Sequence, residues 1–534
     1  MHARDFLKRT PIARAVLAAA AIVTGCGGGG DGTSDATTGD ETVTDTSAPG
    51  LEVVELEFSP VTAVSGTLVV HADADVELMK VTVTGPDGAW EVPASGLLTT
   101  APARDHEVMI LGLLADAEHS FEVAVREVGG AGLELSEDLS LRTDPLPAVF
   151  PPVQFAASDP ARMQPGVTFL DSTSREGFTS VGGFLLAVDA RGRVVWYYTS
   201  PLVQQPCDLR RLQNGNLLFL GVDANGADSM AVELDMLGRE VNRWTKDQVG
   251  LQGMHGDLWE LPDGSVLTVA VALREVSGFP GDKTYNLVDE IIGEFSRDGQ
   301  LLRSASLVDI LDPYRMPSQD FHANFWAPLF GPGSKDWAHV NAVIHDPSDD
   351  TYVVSARHQD AVFKIDRETL ELVWVIGEDE NTSVEDDTWP FLQLVGEGSL
   401  PNHQHAPMML PSGNILMFDN ANKSHVSRAV EYAIDAEAMT LTQVWEYIDP
   451  DYDPSIFSIY IGDADLQENG NVLIDFGAVL RDPSGINATG AYAHIVEVDR
   501  STGEKVFELD VRGAESDPLQ RLVYRVDRQP SLYP

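Results

Sequence analysis

Positive charge is scarce in this chain of 534 residues. It has 35 lysine and arginine residues against 83 aspartate and glutamate residues, which gives a formal charge of −48 and a pI near 4.3. An acidic surface of this kind repels a polyanion, so we expect no nucleic-acid partner. The length suffices for two or three domains and a large core.

Cysteine is scarcer still, with only Cys26 and Cys207. Cys26 ends the segment Val23-Thr-Gly-Cys26, which follows a basic start and an apolar run from residue 15 to 23. This run is too short to cross a bilayer and is typical of an export signal. The four residues resemble the lipobox of bacterial lipoproteins, which implies cleavage before Cys26 and lipid on its sulfur.

Residues 1–26 are therefore predicted to be a lipoprotein signal peptide, with a plain cleaved signal peptide as the alternative. The protein is expected to be exported and lipid-anchored to a membrane, facing the periplasm or the cell surface. With Cys26 acylated, Cys207 has no partner, so no intramolecular disulfide is expected.

Apolar residues are almost absent from residues 27–50, which predicts a disordered acidic tether. Residues 51–148 instead show short alternating strands separated by turn residues, which predict one small β-sandwich. Its last strands, residues 114–125 and 141–145, resemble those of a fibronectin type III (Ig-like) module. We expect a spacer or packing domain.

Helix signals are few, and from Gly166 onwards a two-part unit repeats six times. One part is a β-hairpin with a glycine turn; the other is a strand, a turn and a strand that often ends in tryptophan. Six copies of four strands predict an all-β chain with a six-bladed β-propeller over residues 160–534, because ring closure removes exposed sheet edges. The tryptophans are predicted to pack between blades. Residues 523–526 are predicted to complete the first blade. The insertion at residues 275–330 is predicted to carry short helices.

Three histidines, His255, His339 and His405, lie at similar positions before the turn of successive hairpins. Equivalent positions in the blades of a propeller converge on its axis. Antiparallel pairing about Ser348 places His339 opposite Arg357, and strict alternation puts Asn341 on the same face as His339. Imidazoles, an amide and a guanidinium together suit an anionic substrate, since arginine offers a planar fork of donors.

The motifs around these residues resemble those of the bacterial arylsulfotransferase family. They are Asp336-Trp-Ala-His339-Val-Asn341, Ser355-Ala-Arg357 with Lys364-Ile365, and Gln404-His405 with Gly413 to Asn420. The resemblance covers roughly residues 166–507. It implies a six-bladed propeller preceded by a small β-domain. It also implies nucleotide-independent transfer of a sulfuryl group from a phenolic sulfate donor to a phenol acceptor through a sulfohistidine.

Carried over by motif, His405 is the nucleophile, while His255, His339 and Arg357 bind and polarise the sulfuryl oxygens, with help from Asn341. His403 is a rival to His405 but lacks the preceding glutamine. No cofactor and no metal are expected, because arginine and protonated histidines can balance the single negative charge of a sulfate ester. One histidine, or a tyrosine, is expected to return a proton to the leaving phenolate.

Two other functions remain open at this stage. The first is a non-catalytic propeller that binds anionic aromatic or sugar ligands at the cell surface. The second is a metal-dependent hydrolase of the lactonase kind, with acidic residues such as Asp257 and Asp465 around a cation. The chain has no Gly-x-x-x-x-Gly-Lys-Ser/Thr phosphate loop, so a transferase here would take its sulfuryl group from an ester that is already activated.

Overall fold

The computed structural model describes residues 51–59, 61–130, 134–135, 139–200, 203–224, 226–379, 389–453 and 455–534. The predicted signal peptide, the tether and Cys26 lie outside these residues. Within them the chain forms 35 strands and only three short α-helices, so the all-β prediction is confirmed. None of the described helices has the length and apolarity needed to cross a membrane. Cys207 is a free cysteine.

The described chain divides into two compact units. The first comprises the described residues up to 57 together with 66–110 and 118–142; the second comprises 58–65, 111–117 and 143–534. The strands of the first unit are β1 (Leu51–Phe58), β2 (Gly66–Gly85), β3 (Gly88–Glu91), β4 (Ala103–Ile110), β5 (Glu118–Glu127), β6 (Glu134–Leu135) and β7 (Leu139–Arg142), with a 3₁₀ turn at Ala94–Gly96.

The long strand β2 organises the first unit. Its first part pairs with β4 and its second part with β5, and the register with β5 shifts between Leu78 and Lys80. Leu68 and Val70 are buried before this shift, whereas Val81 and Val83 are buried after it. The extra residue at this shift moves the buried side chains of β2 from even-numbered to odd-numbered positions. The strand therefore turns buried apolar side chains to the same side where it pairs with β4 and where it pairs with β5.

The second unit is built from short antiparallel strands. They are β8 (Val153–Ser158), β9 (Val167–Glu176), β10 (Thr179–Val188), β11 (Val194–Tyr198), β12 (Gln205–Arg211), β13 (Leu217–Val222), β14 (Ser229–Leu234), β15 (Glu240–Thr245), β16 (Met254–Glu260), β17 (Val266–Phe279), β18 (Lys283–Phe295), β19 (Leu301–Ser306), β20 (Lys335–Asp336), β21 (Val340–Asp346), β22 (Thr351–Ala356), β23 (Ala361–Asp366), β24 (Leu372–Gly377), β25 (Gln393–Leu394), β26 (His405–Met409), β27 (Ile415–Asp419), β28 (Arg428–Asp435), β29 (Thr440–Tyr447), β30 (Asp463–Leu466), β31 (Val472–Val479), β32 (Tyr492–Val498), β33 (Lys505–Val511), β34 (Gln520–Leu522) and β35 (Val526–Gln529).

These strands form six sheets in chain order. The sheets contain β9–β11, β12–β15, β16–β19, β21–β24, β26–β29 and β30–β33. The first strand of each sheet lies against the first strand of the next, from β9 through β12, β16, β21 and β26 to β30. The strand β35 pairs with β9 and also contacts β31, so the first strands surround a common axis. The propeller prediction is confirmed.

The two ends of the second unit join different sheets. The strands β34 and β35 extend the first sheet by pairing with β9, as predicted for this segment, but they flank residues 523–525 instead of containing them. These residues leave the sheet because Tyr524 Oη and Arg525 Nη2 both donate to the carbonyl oxygen of Asn341, at 2.9 and 3.1 Å. The strand β8, which the sequence did not reveal, adds to the outer edge of the last sheet by pairing with β33.

The insertion predicted at residues 275–330 begins as sheet and ends as short helices. The strands β17 and β18 form a long hairpin that includes residues 275–279. Helices α2 (Leu307–Ile310) and α3 (Ala327–Phe330) and a 3₁₀ turn at Gln319–His322 follow, so the prediction of short helices is confirmed for this part. Elsewhere in the unit lie α1 (Lys246–Val249) and a 3₁₀ turn at Arg357–Gln359.

The repeating tryptophans join neighbouring sheets, as predicted. The indole N–H of Trp196 donates to Met236 O at 2.8 Å, and that of Trp244 donates to Arg297 O at 2.9 Å. Trp445 donates in the same way to Arg500 O at 3.2 Å. Each carbonyl lies in the turn between the third and fourth strands of the following sheet, so each bond fixes one sheet against the next.

We predict that Trp196→Phe lowers the free energy of unfolding by about 1–3 kcal/mol, because a fully buried indole loses its bond to Met236 O. Thermal and urea unfolding measure the change. The control is Phe178→Leu, whose aromatic ring is 92% exposed and whose loss should change stability by less than about 0.5 kcal/mol. Equal stability of Trp196→Phe and the wild type would contradict this assignment.

Candidate active site

The first strands of four successive sheets share a break in their register. The breaks lie at Cys207/Arg210 in β12, His255/Leu258 in β16, Val340/Ala342 in β21 and His405/Met408 in β26. Residues with positive φ stand beside them, namely Asp208, Gly256, His339 and Ala406. Such bulges bend a strand and re-aim its side chains. The three histidines singled out by the sequence all lie at these breaks.

The structure pairs His339 with Arg357 as predicted, since the backbone N–H of Arg357 donates to His339 O at 3.1 Å. The prediction that Asn341 follows by strict alternation is wrong. Val340 pairs with Ala356 but Ala342 pairs with Ser355, so Asn341 is the extra residue of a bulge. Its amide Nδ2 donates to Gln404 O at 2.7 Å, which fixes β21 to the residue preceding His405.

His255 and His339 lie close together. Their ring centroids are 5.1 Å apart, and the ring of His358 stacks on His339 at 4.6 Å. His255 Nδ1 donates to Val340 O at 3.1 Å, and His339 Nδ1 contacts Asp336 Oδ2 at 2.8 Å. In both rings these bonds place the proton on Nδ1, which leaves a lone pair on Nε2.

Burial keeps these two rings neutral. It lowers the pKa of His255 to about 3, with a further contribution from the neighbouring His339. Burial likewise lowers the pKa of His339 to about 3, and the charge of Arg357 adds to the effect. Burial thus favours neutral rings in the unliganded protein, where protonated histidines were expected, and Arg357 is a positive charge beside His339.

Aromatic residues from the insertion cover the two rings. Trp326 lies 4.7 Å from His255 between ring centroids, and Phe325 lies 4.9 Å from His339. The indole N–H of Trp326 donates to Asp336 Oδ1 at 3.1 Å, so the cover is held by the same carboxylate that contacts His339. Aromatic faces beside an anion site suit a substrate with an aromatic ring.

Arg357 is oriented by the histidine that follows it. His358 Nδ1 donates to Asp336 O at 2.9 Å, so its Nε2 is free to accept from Arg357 Nη1 at 2.8 Å. Arg357 Nη2 donates to Ile459 O at 3.4 Å, and its side chain is 11% exposed. Burial lowers the pKa of this guanidinium, and the nearby Asp320 and Asp336 oppose that shift. His358 was not recognised from the sequence.

The orientation of His405 is fixed by Asn420. The amide Nδ2 of Asn420 donates to Ser458 O at 2.8 Å and to Ile461 O at 2.9 Å, so its Oδ1 must face the imidazole. His405 Nδ1 donates to this oxygen at 2.6 Å and therefore carries the proton. The lone pair lies on Nε2, where it meets the backbone N–H of Ile461 at 3.3 Å. Asn420 belonged to a motif noted in the sequence, but no role was predicted for it.

The charge state of His405 suits a nucleophile. Burial lowers its pKa well below the usual range, and the positive charges of Arg525 and Arg357 lower it further. The segment facing its Nε2 is strained, because the β-branched Ile461 has a φ of 53°. Strain of this kind is found where a backbone group must be held in one position.

His403 shares a carboxylate partner, Asp320, with Arg357. Its Nδ1 lies 2.7 Å from Asp360 Oδ1, and its Nε2 lies 2.9 Å from Asp320 Oδ2. Asp320 Oδ2 also accepts from Arg357 Nη1 at 3.3 Å. The sequence named His403 only as a rival of His405, and it did not indicate Asp320 or Asp360.

One group of side chains has ligand atoms close enough together for a metal ion, within the part of the chain that the structure describes. It comprises Asp336, His339 and His358. Both nitrogens of His358 are already engaged, one donating to Asp336 O and one accepting from Arg357. A cation at this place would have to displace the guanidinium. The donor set therefore fits hydrogen bonding better than metal coordination.

Asp257 and Asp465, the acidic residues considered for a metal-dependent hydrolase, are in surroundings that do not suit metal ligands. Asp257 Oδ1 accepts from Arg210 Nη2 at 2.6 Å, and its Oδ2 accepts from Val343 N at 3.0 Å. Burial and the neighbouring Asp463 raise the pKa of Asp465 well above the usual range, which disfavours a charged ligand. Their surroundings do not favour a cation site.

The sequence model of the arylsulfotransferase (ASST) family matches residues 153–525. The chain is 24% identical over 400 residues to arylsulfate sulfotransferase AssT of Escherichia coli O6:H1, covering 63% of this chain and 62% of that protein. It is 24% identical over 321 residues to AssT of Lelliottia amnigena, covering 50% of this chain and 53% of that one. The chain thus spans less than two thirds of either relative.

Similarity to solved structures is weaker. A putative 6-phosphogluconolactonase from Bacteroides fragilis has a TM-score of 0.36 at 13% identity, over 67% of this chain and 85% of that chain. A quinonprotein alcohol dehydrogenase-like protein from Bacteroides thetaiotaomicron has a TM-score of 0.32 at 9% identity, over 89% and 95%. Similarities at this level add nothing to the assignment.

We predict that the imidazole of His405 is neutral at pH 7 and protonated on Nδ1, because burial disfavours the charged ring and Asn420 accepts from Nδ1. NMR of ¹⁵N-histidine-labelled protein reads the tautomer, and His405→Gln assigns the signal. Asn420→Ala should leave the proton on Nδ1, because His403 O at 3.2 Å still accepts from Nδ1 and Ile461 N–H still faces Nε2. An imidazolium signal at pH 7, or an Nε2–H ring in the wild type, would contradict the assignment.

Proposed function

The chain belongs to the arylsulfotransferase family, and on this basis we propose that it transfers a sulfuryl group from a phenolic sulfate ester to a phenolic acceptor. The observation that carries the proposal is the neutral His405, whose Nδ1–H donates to Asn420 and whose Nε2 therefore bears the lone pair. In the unliganded protein this lone pair accepts from Ile461 N at 3.3 Å, a bond that the sulfur of the donor must replace. An unprotonated imidazole is a competent nucleophile near neutral pH.

In the proposed first step, His405 Nε2 attacks the sulfur of the donor ester. The N–S bond forms while the bond between sulfur and the phenolic oxygen breaks, and the phenolic oxygen takes the electron pair. In the second step the oxygen of the acceptor phenol bonds to the sulfur of the sulfohistidine while the N–S bond breaks, and His405 regains its lone pair. The proton that the acceptor loses goes to a base of the site, which replaces the proton that the leaving phenolate took in the first step. No nucleotide enters either step.

Arg357 is proposed to hold the sulfuryl oxygens. Sulfuryl transfer resembles phosphoryl transfer in having a loose transition state with charge on the peripheral oxygens, so positioned donors and charges supply most of the catalysis. The guanidinium is preorganised by His358 and Ile459 O, so little reorganisation is needed when charge develops.

His255 and His339 are proposed to take protons when the anion binds. Their pKa values are low in the unliganded protein because burial disfavours charge, and an anion beside them acts in the opposite direction. Each ring then donates from Nε2 to a sulfuryl oxygen. Asn341 is proposed to help only through its amide Nδ2, which would have to leave Gln404 O to donate to a sulfuryl oxygen, because its buried side-chain oxygen can only accept.

We further propose that the protein is exported and anchored by lipid on Cys26, on the strength of the N-terminal motif. Metabolic labelling with a fatty-acid analogue tests this, and Cys26→Ser should abolish the label because it removes the acylated sulfur. The described catalytic residues lie far along the chain from Cys26, so purified Cys26→Ser should keep its transferase activity. Labelling that survives the substitution would contradict the anchor.

We predict that p-nitrophenyl sulfate releases nitrophenol when a phenol is present, and that His405→Ala reduces this release to background. Incubation with the donor alone should add one sulfuryl group, about 80 Da, to His405 in mass spectrometry, because the first step is covalent. The control is His345→Ala, which removes an imidazole paired with Asp350 at the other end of β21.

The outcomes separate the proposed enzyme from its alternatives. Absence of release from the wild type with every phenol tested would contradict the proposal and favour a non-catalytic binding propeller. Release that is abolished by EDTA would favour a metal-dependent hydrolase. An adduct on another histidine would move the nucleophile away from His405.

A further inference from the structure

Both ring nitrogens of His403 face carboxylates. Asp360 Oδ1 accepts from the backbone N–H of His403 at 2.9 Å and from its Nδ1 at 2.7 Å. Asp320 Oδ2 lies 2.9 Å from Nε2. Ionised carboxylates only accept hydrogen bonds, so Nδ1 and Nε2 both donate. The ring therefore directs the N–H of Nε2 at Asp320.

The two carboxylates differ in how firmly they are held. Asp360 is buried, and it also pairs with Lys423 Nζ at 3.1 Å. Asp320 lies on the short 3₁₀ turn Gln319–His322 of the insertion, and its side chain is 42% exposed. Asp360 is thus a fixed partner of the ring, whereas Asp320 approaches from the solvent side.

Asp320 Oδ2 occupies a point on which two donors converge. It accepts from His403 Nε2 at 2.9 Å and from Arg357 Nη1 at 3.3 Å. An oxygen atom with negative charge is stabilised at this point by a guanidinium and an imidazole together. A phenolic oxygen that leaves a sulfuryl group held by Arg357 also develops negative charge, so the same two donors would stabilise it at this point.

In the unliganded protein the other histidines of the group have no proton on Nε2. Nδ1 is the protonated nitrogen in His405, His255 and His339, and in each it is bound to a protein acceptor. In His358 both nitrogens are engaged, and Nε2 accepts. Among these rings, His403 has the Nε2 donor that faces the point shared with Arg357.

We propose that His403 is the general acid and base of the transfer, and that Asp320 Oδ2 stands where the phenolic oxygen of a substrate binds. This inference rests on the proposed function. As the donor ester is cleaved, the phenolic oxygen receives the electron pair of the S–O bond and the proton from His403 Nε2. In the second half-reaction the acceptor phenol returns its proton to the same nitrogen while its oxygen bonds to sulfur.

The test is the dependence on the leaving group in His403→Gln. Glutamine keeps an N–H donor for Asp320 but cannot transfer a proton. Formation of the His405 adduct is measured without acceptor, using phenyl sulfate, whose phenolate is a poor leaving group, and p-nitrophenyl sulfate, whose phenolate is a good one. We expect the rate to fall about 10²- to 10⁴-fold for phenyl sulfate, as for loss of a general acid, and less than about 10-fold for p-nitrophenyl sulfate.

The control is His345→Gln, which should react like the wild type with both donors. Equal losses with the two donors in His403→Gln would show that His403 only positions its neighbours, and this would overturn the proposal. A wild type that forms no adduct with either donor would instead contradict the proposed function, and the role of His403 with it.

A second variant tests whether Asp320 Oδ2 marks the position of the phenolic oxygen, and this test does not depend on correct folding of His403→Gln. Asp320→Ala removes the carboxylate that competes with the substrate for Arg357 and His403. The KM for both donors should therefore fall severalfold, because less of the protein is occupied by its own carboxylate. A KM that rises would overturn the assignment of this position to the phenolic oxygen.

Discussion

The hydrogen bond from His405 Nδ1 to Asn420 Oδ1 determines what the rest of the site can do. The amide cannot turn around, because its Nδ2 is held by the carbonyls of Ser458 and Ile461. This arrangement leaves a lone pair on Nε2, and burial keeps that lone pair free of a proton. A buried neutral ring costs little desolvation compared with a buried ion, so the fold can afford to enclose it. In the proposed mechanism this lone pair attacks the sulfur of the donor, and Arg357, His255 and His339 act on its sulfuryl oxygens.

Closure of the ring of sheets and the geometry of the site are physically coupled. The C-terminal segment between β34 and β35 crosses towards the fourth sheet, where Tyr524 and Arg525 donate to the carbonyl oxygen of Asn341. The side chain of the same asparagine reaches Gln404 in the fifth sheet. The bulge at Asn341 is therefore held from both sides by segments that are distant in sequence. Loss of ring closure would remove the bonds from Tyr524 and Arg525, and Asn341, which links β21 to the residue before His405, would be less firmly held.

The sequence was sufficient wherever short-range periodicity decides the structure. The strand repeats, the tryptophan contacts and the pairing of His339 with Arg357 follow from alternation and turn position. It was insufficient where one residue breaks the alternation, as at Asn341, because a bulge is stabilised by partners in another sheet. The roles of Asn420, His358 and Asp320 were missed for the same reason. Asp320 comes from an insertion and meets His403 across 83 residues of chain, and no local pattern encodes that contact.

The chain carries a formal charge of −48, yet its candidate substrate is an anion. At physiological ionic strength, exposed charges more than about 8 Å away are largely screened, so the acidic surface contributes little at the site itself. Local groups decide the outcome there, and Arg357 is screened much less because its side chain is only 11% exposed. Burial favours the neutral form of the His255 and His339 rings before the substrate binds. In the proposed mechanism both rings take protons when the anion binds, so their positive charge is present only while the sulfuryl group is bound.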